Sequence, residues 1–242
     1  MTFWDHLDEL RNRLWRMLAV AAVGMVACFC FKRQLFAIVF APKPEAMHLI
    51  NTDLAQPLLV HMQLALWAGL LLASPYLLYQ LFAFIAPGLY RAERRAVAMA
   101  IATAYLLFAL GVLLNYFVLF PFTVRFLYSY DIGTEVANTI TLTNYLALLG
   151  TMSLIIGLVF ELPVLCWLLA RLGLLSAATM RRFRRHALVV ILILAAVITP
   201  TADPFTLALA SLPIYLLWEL SILVVKRTAK ADRNQPLNPI AS

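Results

Sequence analysis

The sequence predicts an all-α membrane protein with six transmembrane helices, the last two short, and with both termini in the cytoplasm. The first observation is composition: 64% of the 242 residues are hydrophobic and 13% are charged, whereas soluble domains average about 45–50% apolar and about 25% charged residues. The second is arrangement, because the charges fall in short clusters between uncharged apolar runs. The third is that basic residues favour alternate connectors, as the orientation rule for membrane proteins requires.

The chain begins with a polar stretch of helical periodicity. Leucines recur at helix spacing at Leu7, Leu10 and Leu14. Glu9 and Arg13 form an i,i+4 pair with the acid first, which is the favourable order. We therefore predict a cytoplasmic amphipathic helix over residues 1–16 that leads into a transmembrane domain over 17–225.

Apolar runs follow this first helix. The predicted spans are 17–31, about 66–88, 96–124, 136–170, 187–202 and 204–218, the last continuing past Glu219 to Val225. The polar start of the second run, with Pro57, is interpreted as a loop or interfacial segment. The last two spans are undersized, since crossing a bilayer takes about 20 residues. A polar cytoplasmic tail is expected over 226–242.

A proline-rich break separates the last two spans. Pro200 and Pro204 cannot continue one helix comfortably. Asp203 followed by Pro204 is a favourable pair for the N-cap and first position of a helix. We therefore predict a hairpin of two short helices, with Asp203 and Pro204 as its structural loop.

The distribution of basic residues fixes the predicted orientation. Of the 19 Lys and Arg residues, 15 fall on the side that carries both predicted termini and four fall on the other. The richer side is expected to be cytoplasmic. This pattern accounts for the net charge of +7 better than nucleic-acid binding does, because no nucleic-acid-binding module fits between the spans.

No motif predicts covalent chemistry, a cofactor or a metal. The four histidines are isolated, and no set of His, Cys and Glu has metal-ligand spacing. A Gly-rich phosphate loop and a nucleophile elbow are both missing from the sequence. We therefore predict no enzymatic activity, and a membrane-embedded protease is a weak alternative because no nucleophile–base pair is visible.

Glu161 is the most unusual carboxylate. It lies ten residues before Arg171, which at about 1.5 Å per residue is roughly 15 Å deep, near the middle of hydrocarbon about 30 Å thick. Intramembrane acids are costly and usually functional, although a structural hydrogen bond to a neighbouring helix is an alternative. Pro163 is expected to bend this helix.

A second unusual acid, Glu93, lies among arginines in the connector between the second and third spans. Topology requires basic residues there but no acid. Glu93 and Glu9 both flank spans on the predicted cytoplasmic side, and each alone can be a surface partner of a nearby arginine. If the first helix folds beside this connector, two carboxylates in a basic rim form a selective site for guanidinium groups, which bind carboxylates bidentately.

Four stretches carry a resemblance to a known family. They are His6–Leu14, Ala83–Tyr90 with Glu93–Arg95, Phe160–Pro163, and Thr199–Pro200 through Asp203–Phe205. With them, the chain resembles the TatC family, the six-span core component of the twin-arginine protein translocase, over about residues 5–225. One departure is Asp8, which stands where an apolar residue is common in the family and adds an acid beside Glu9.

The resemblance implies a receptor for twin-arginine signal peptides that moves folded proteins across a bacterial-type inner membrane, driven by the proton-motive force. The implied signal-peptide-binding residues are Glu9, Arg13, Phe84, Pro87 and Glu93. The implied intramembrane and partner-binding residues are Glu161, Thr199 and Thr206. The implied partners are TatA-like and TatB-like single-span proteins, with self-association in the receptor complex.

One alternative function belongs to another class. A proton-coupled small-molecule transporter would use Glu161 as its proton carrier. Such a protein requires a substrate site near the bilayer midplane and usually an internal repeat. The sequence contains no recognisable repeat and only one deep acid.

Overall fold

The computed structural model describes residues 3–45, 47–85, 94–129, 140–199 and 204–233. Its elements are α1 (Phe3–Phe29), α2 (Lys32–Phe40), β1 (Leu49–Ile50), α3 (Gln56–Ile85), α4 (Arg94–Leu114), a π-helical turn (Asn115–Leu119), α5 (Phe120–Ser129), β2 (Ile140–Thr141), α6 (Leu142–Val159), α7 (Leu162–Arg171), α8 (Ala177–Arg182), α9 (Arg184–Ile198) and α10 (Pro204–Arg233). The two strands form a short parallel pair. The predicted all-α fold with several spans is confirmed.

The described part contains five helical segments that are long and apolar enough to cross a membrane. They are Leu7–Phe29, Gln56–Phe84, Val97–Ser129, Leu142–Arg171 and Pro204–Thr228. The fifth predicted span corresponds to α9, which has 15 residues, fewer than the approximately 20 that a span normally takes. The predicted shortness of this segment is therefore confirmed.

Two helices extend beyond the predicted bounds of their spans. The second span was expected to begin near residue 66 after a loop or interfacial segment, and that segment is helical because α3 begins at Gln56. Pro57 does not prevent this, because a proline in the first helical turn lacks only an N–H that would have no intrahelical partner. Gln56 also secures the start of the helix, since its Oε1 accepts hydrogen bonds from the backbone N–H groups of Thr52 and Asp53.

The last helix is not short. α10 has 30 residues and runs to Arg233, so it passes through Glu219 and extends into the stretch expected to be a polar tail. The helix continues past Glu219, as predicted. Arg184 Nη2 donates to Glu219 Oε2 at 2.6 Å, and Tyr215 Oη donates to Oε1 at 3.3 Å. The carboxylate is thereby satisfied on the helix surface.

Regular helix is interrupted just before Pro163, where the sequence predicts a bend. α6 ends at Val159 and α7 begins at Leu162, with Phe160 and Glu161 between them. Pro163 occupies the first turn of α7, where proline is tolerated. Glu161 therefore lies at a break in a transmembrane segment rather than within a regular helix.

The chain divides into two compact units, Met1–Gly157 and Leu158–Ser242. In the first unit, α1 and α3 approach closely at two glycines, since a Cβ added to Gly24 would lie 2.8 Å from the carbonyl oxygen of Gly69. Small residues permit such backbone contact between membrane helices. In the second unit, α10 packs against α7 and α9.

Candidate functional site

The first candidate site lies where the start of α1 meets the end of α3. Arg13 Nε and Nη2 both donate to Glu9 Oε1, at 3.0 and 2.6 Å, which confirms the predicted i,i+4 pair. Arg13 Nη1 donates to Gln80 Oε1 at 2.9 Å. Gln80 Nε2 in turn donates to Tyr76 Oη at 2.6 Å. A chain of hydrogen bonds therefore fixes the Glu9 carboxylate against α3.

The register of the two helices gives the position of Glu9. Arg13 on α1 contacts Gln80 on α3. Eleven residues later on α1, Gly24 contacts Gly69, which lies eleven residues before Gln80 on α3. The helices therefore run antiparallel in constant register. Extended by one turn, this register brings Glu9 to the level of Phe84, which is half-buried near the end of α3.

Two predicted signal-binding residues, Pro87 and Glu93, lie outside the described residues. The helices that flank their connector are described: α3 ends at Ile85 and α4 begins at Arg94. Glu9 therefore lies at the end of α3 from which this connector departs.

Among the described residues, the Glu9 carboxylate uses one of its two oxygens. Its Oε1 accepts both hydrogen bonds from Arg13, whereas in the described part of the chain Oε2 takes part in none. The side chain of Glu9 is 25% exposed. Asp8, one residue earlier, is 67% exposed and pairs with Arg11 at 3.4 Å. The two adjacent acids thus differ: Glu9 is held against α3 and Asp8 is a solvated surface charge.

The second candidate site is Glu161 in the second unit. It is 3% exposed, and neither carboxylate oxygen has a hydrogen-bond partner among the described residues. Its position at the N-cap of α7 provides no cap hydrogen bond from its side chain. The structural alternative, a hydrogen bond to a neighbouring helix, is therefore not realised within the described part of this chain.

The remaining predicted residues lie at the break between α9 and α10. Thr199 and Thr206 are buried, and Thr199 Oγ1 donates to the carbonyl oxygen of Ala195 at 2.9 Å. α10 begins at Pro204, as the sequence predicts. Asp203 lies outside the described residues.

Sequence reasoning missed Gln80 and Tyr76. Both lie in the long uncharged run that was interpreted only as a span, and the partner of Gln80 is 67 residues away in the chain. A signal was present, because Gln80 is a polar residue four positions before Phe84 in an apolar segment. Its function depends on the pairing of α1 with α3, which local sequence does not specify.

Comparison with known proteins decides the family. The family model described as "Sec-independent protein translocase protein (TatC)" matches residues 5–213. The chain belongs to the TatC family. TatC of Deinococcus radiodurans is 42% identical over 91% of this chain and 84% of the relative. TatCy of Bacillus subtilis is 32% identical over 97% of this chain and 95% of the relative.

Solved TatC structures agree with the sequence relatives. Two crystal structures of the twin-arginine translocase receptor TatC match with TM-scores of 0.76 and 0.79, each at 30% identity. They cover 93% and 90% of this chain, and 99% and 98% of the solved chains. The family resemblance is therefore confirmed, and the chain is a membrane protein of the TatC translocase family.

Proposed function

We propose that this TatC-family chain is the receptor and core of a twin-arginine translocase. It binds Arg-Arg signal peptides at its cytoplasmic face and, with single-span partners, moves folded proteins across the membrane using the proton-motive force. The observation that carries the receptor role is the Glu9 carboxylate, which is held in place through one oxygen while the other is unused among the described residues.

This geometry suits an incoming guanidinium group. Arg13 donates from Nε, Nη1 and Nη2 to Glu9 and Gln80. The Glu9 side chain is therefore already ordered, and little side-chain entropy is lost when a ligand binds to it. Charge-assisted hydrogen bonds are roughly twice as strong as neutral ones. A guanidinium that binds Glu9 Oε2 therefore gains a strong interaction with a preorganised acceptor, and Arg13 acts as a positioning residue.

Glu93 supplies the second carboxylate in this proposal. Its connector follows the end of α3, and Glu9 lies at the level of that end. A pair of consecutive arginines presents two guanidinium groups, so two carboxylates match it better than one. Phe84 and Pro87, on the same end of α3 and in the connector, supply apolar contact beside the charged groups.

Glu161 supports contact with partner membrane helices. A buried carboxyl with no intramolecular partner in the described residues is satisfied most simply by a polar group on another molecule, because an unpaired polar group in a membrane is costly. The proposed partners are TatA-like and TatB-like single-span proteins. The family resemblance suggests further partner contacts around Thr199 and Thr206. Both side chains are buried within this chain.

The proposed orientation places both termini in the cytoplasm of a bacterial-type inner membrane. Fifteen of the 19 basic residues favour this arrangement. It brings Glu9 and the connector that carries Glu93 to the side from which precursors arrive.

The test is site-specific photocrosslinking of an Arg-Arg signal peptide to the full chain in membrane vesicles. We expect Glu9→Gln and Glu93→Gln each to weaken crosslinking, while Asp8→Asn, the adjacent acid with the same charge change, leaves it near the parental level. A Lys-Lys signal should crosslink poorly to every variant. Unchanged crosslinking in both glutamate variants would remove the receptor-site assignment.

The transporter alternative has one supporting observation, the unpaired Glu161 carboxyl. It predicts uptake of a small solute by the purified chain alone in proteoliposomes. The translocase proposal predicts no such uptake and requires partners, so the two functions are separated by one reconstitution.

A further inference from the structure

The first unit contains a partly open cavity that the proposed function does not use. Its volume is about 670 Å³. Side chains from α1, α2, α3, α4, the π-helical turn and α6 line it, including Cys28, Leu35, Trp67, Ala68, Tyr116 and Ser153. The walls are almost entirely apolar, and the volume lies in the range of about 300–1,000 Å³ typical of ligand sites.

Specific packing fixes the shape of this cavity. The ring of Trp67 lies directly against Gly150, so that any larger residue at position 150 would collide with the indole. Across the cavity, Tyr116 Oη donates to the carbonyl oxygen of Ile38 at 2.6 Å. These contacts tie α3 to α6 and the π-helical turn to α2, so the cavity is bounded by constrained walls.

The wall also includes a polar side chain, Ser153, and Asn115 lies behind it. Asn115 Nδ2 donates to Ser153 Oγ at 2.9 Å, and both residues are buried. The Ser153 hydroxyl accepts this hydrogen bond and donates none in the described part of the chain. Because unpaired polar groups in an apolar medium are costly, a ligand that is apolar but carries one polar group suits this wall better than pure hydrocarbon.

The depth of this polar group in the bilayer indicates what kind of ligand the cavity binds. Trp67 lies 18 residues before the end of α3 at Ile85, and Asn115 lies 21 residues beyond the start of α4 at Arg94. At about 1.5 Å per residue these spacings are roughly 27 and 32 Å. They match the hydrocarbon thickness of about 30 Å. The polar group therefore lies near the interface opposite Ile85 and Arg94, at the depth of lipid ester groups.

A cationic side chain stands at the same end of the unit. Lys32 begins α2 and is exposed. It lies one turn before Leu35 on the α2 face that also includes Val39, and both of these residues line the cavity. The Lys32 ammonium group can form an ion pair with a phosphate at the membrane interface.

We propose that this cavity binds one acyl chain of a glycerophospholipid from the bilayer, with the ester group at the Ser153 hydroxyl and the phosphate at Lys32. The acyl chain fills space between the helices that no side chain of the first unit occupies. The site is independent of signal recognition at Glu9.

The experiment is photocrosslinking of the full chain in membranes with phosphatidylglycerol that carries a diazirine on its acyl chain, followed by peptide mapping. Adducts are expected on the buried lining residues Leu64, Leu146 and Ser153, which lipid on the outer surface cannot reach. Ala68→Phe, which fills the cavity, should remove most of these adducts. The matched control Ala102→Phe, at an exposed position on α4, should retain them.

Two further arms complete the test. Leu72→Trp, at the lining but largely exposed, replaces Ala68→Phe if that variant does not fold. Lys32→Gln should lower the yield with the phospholipid but not with a diazirine-labelled fatty alcohol. Adducts confined to outward-facing residues such as Leu106 and Leu110, or adducts unaffected by cavity filling, overturn the proposal. Displacement of the lipid by the apolar segment of a bound signal peptide also overturns it, in favour of a protein ligand.

Discussion

Glu9 and Glu161 are both carboxylates in a membrane protein, but their surroundings are opposite. Glu9 is partly exposed and accepts two hydrogen bonds from Arg13 through one oxygen. Glu161 is 3% exposed, and in the described part of the chain neither oxygen has a partner. An oriented, solvent-reachable acid suits recognition of a charged ligand. A buried, unpaired acid suits a contact that forms only when another membrane helix arrives.

The largest expected effect concerns the packing that positions Glu9. Gly69→Leu places a side chain against the backbone of α1 at Gly24 and Met25. Overpacking costs typically about 1–3 kcal/mol and occasionally more, and we expect a loss of about 3 kcal/mol in the free energy of unfolding because backbone cannot yield. Thermal unfolding in detergent measures it, with Ala102→Leu on the exposed face as the control. Unaltered stability would contradict the close approach of α1 and α3.

The next effect concerns Glu161. Glu161→Leu removes a buried polar group with no partner among the described residues, whose desolvation costs about 1–3 kcal/mol, so the variant should be more stable than the parent by that order. The same variant should lose export of an Arg-Arg precursor in cells. A decrease in stability would mean that Glu161 has an internal partner, and retained export would remove its functional role.

A smaller effect tests the support of Glu9. Gln80→Leu removes one hydrogen bond from Arg13, and a typical bond contributes about 0.5–1.5 kcal/mol. We therefore expect signal-peptide affinity to fall by roughly two- to tenfold, measured by titration with a fluorescent signal peptide. Gln63→Leu, a polar-to-apolar change elsewhere on α3, is the control. Equal effects of the two variants would show that Gln80 acts only through helix stability.

The smallest effect concerns a third acid. Glu219 is paired with Arg184 at 2.6 Å, and the two side chains are 30% and 47% exposed. Such partly exposed pairs contribute about 0.2–1 kcal/mol. Glu219→Gln should therefore change unfolding by less than about 1 kcal/mol and leave both signal binding and export near parental levels. A large loss of export would place Glu219 with Glu161 among functional acids.

Much of the fold follows from local sequence. Composition and charge-free runs predict the spans, Pro163 predicts the break before α7, and Pro204 predicts the start of α10. The errors concern where two helices begin or end. Pro57 did not delay α3, because proline is tolerated in a first turn. The charged residues from Lys226 onward did not end α10, which runs to Arg233.

The candidate site was predicted only in part. The Glu9–Arg13 pair follows from i,i+4 spacing, but its attachment to Gln80 depends on a helix 67 residues away. The contact between Gly24 and Gly69 that sets this register is also long-range. The cavity beside Trp67 could not be predicted either, because it is formed by residues from six separate segments.

The central claim is that the Glu9 carboxylate binds an arginine of a signal peptide. A double-mutant cycle measures this directly by combining Glu9→Gln with substitution of each consecutive signal arginine by glutamine, with Asp8→Asn as the parallel cycle. We expect a coupling free energy of about 1.5–3 kcal/mol between Glu9 and one signal arginine, as for hydrogen bonds to charged groups, and almost none for Asp8. A coupling near zero for Glu9 with both arginines would contradict the claim.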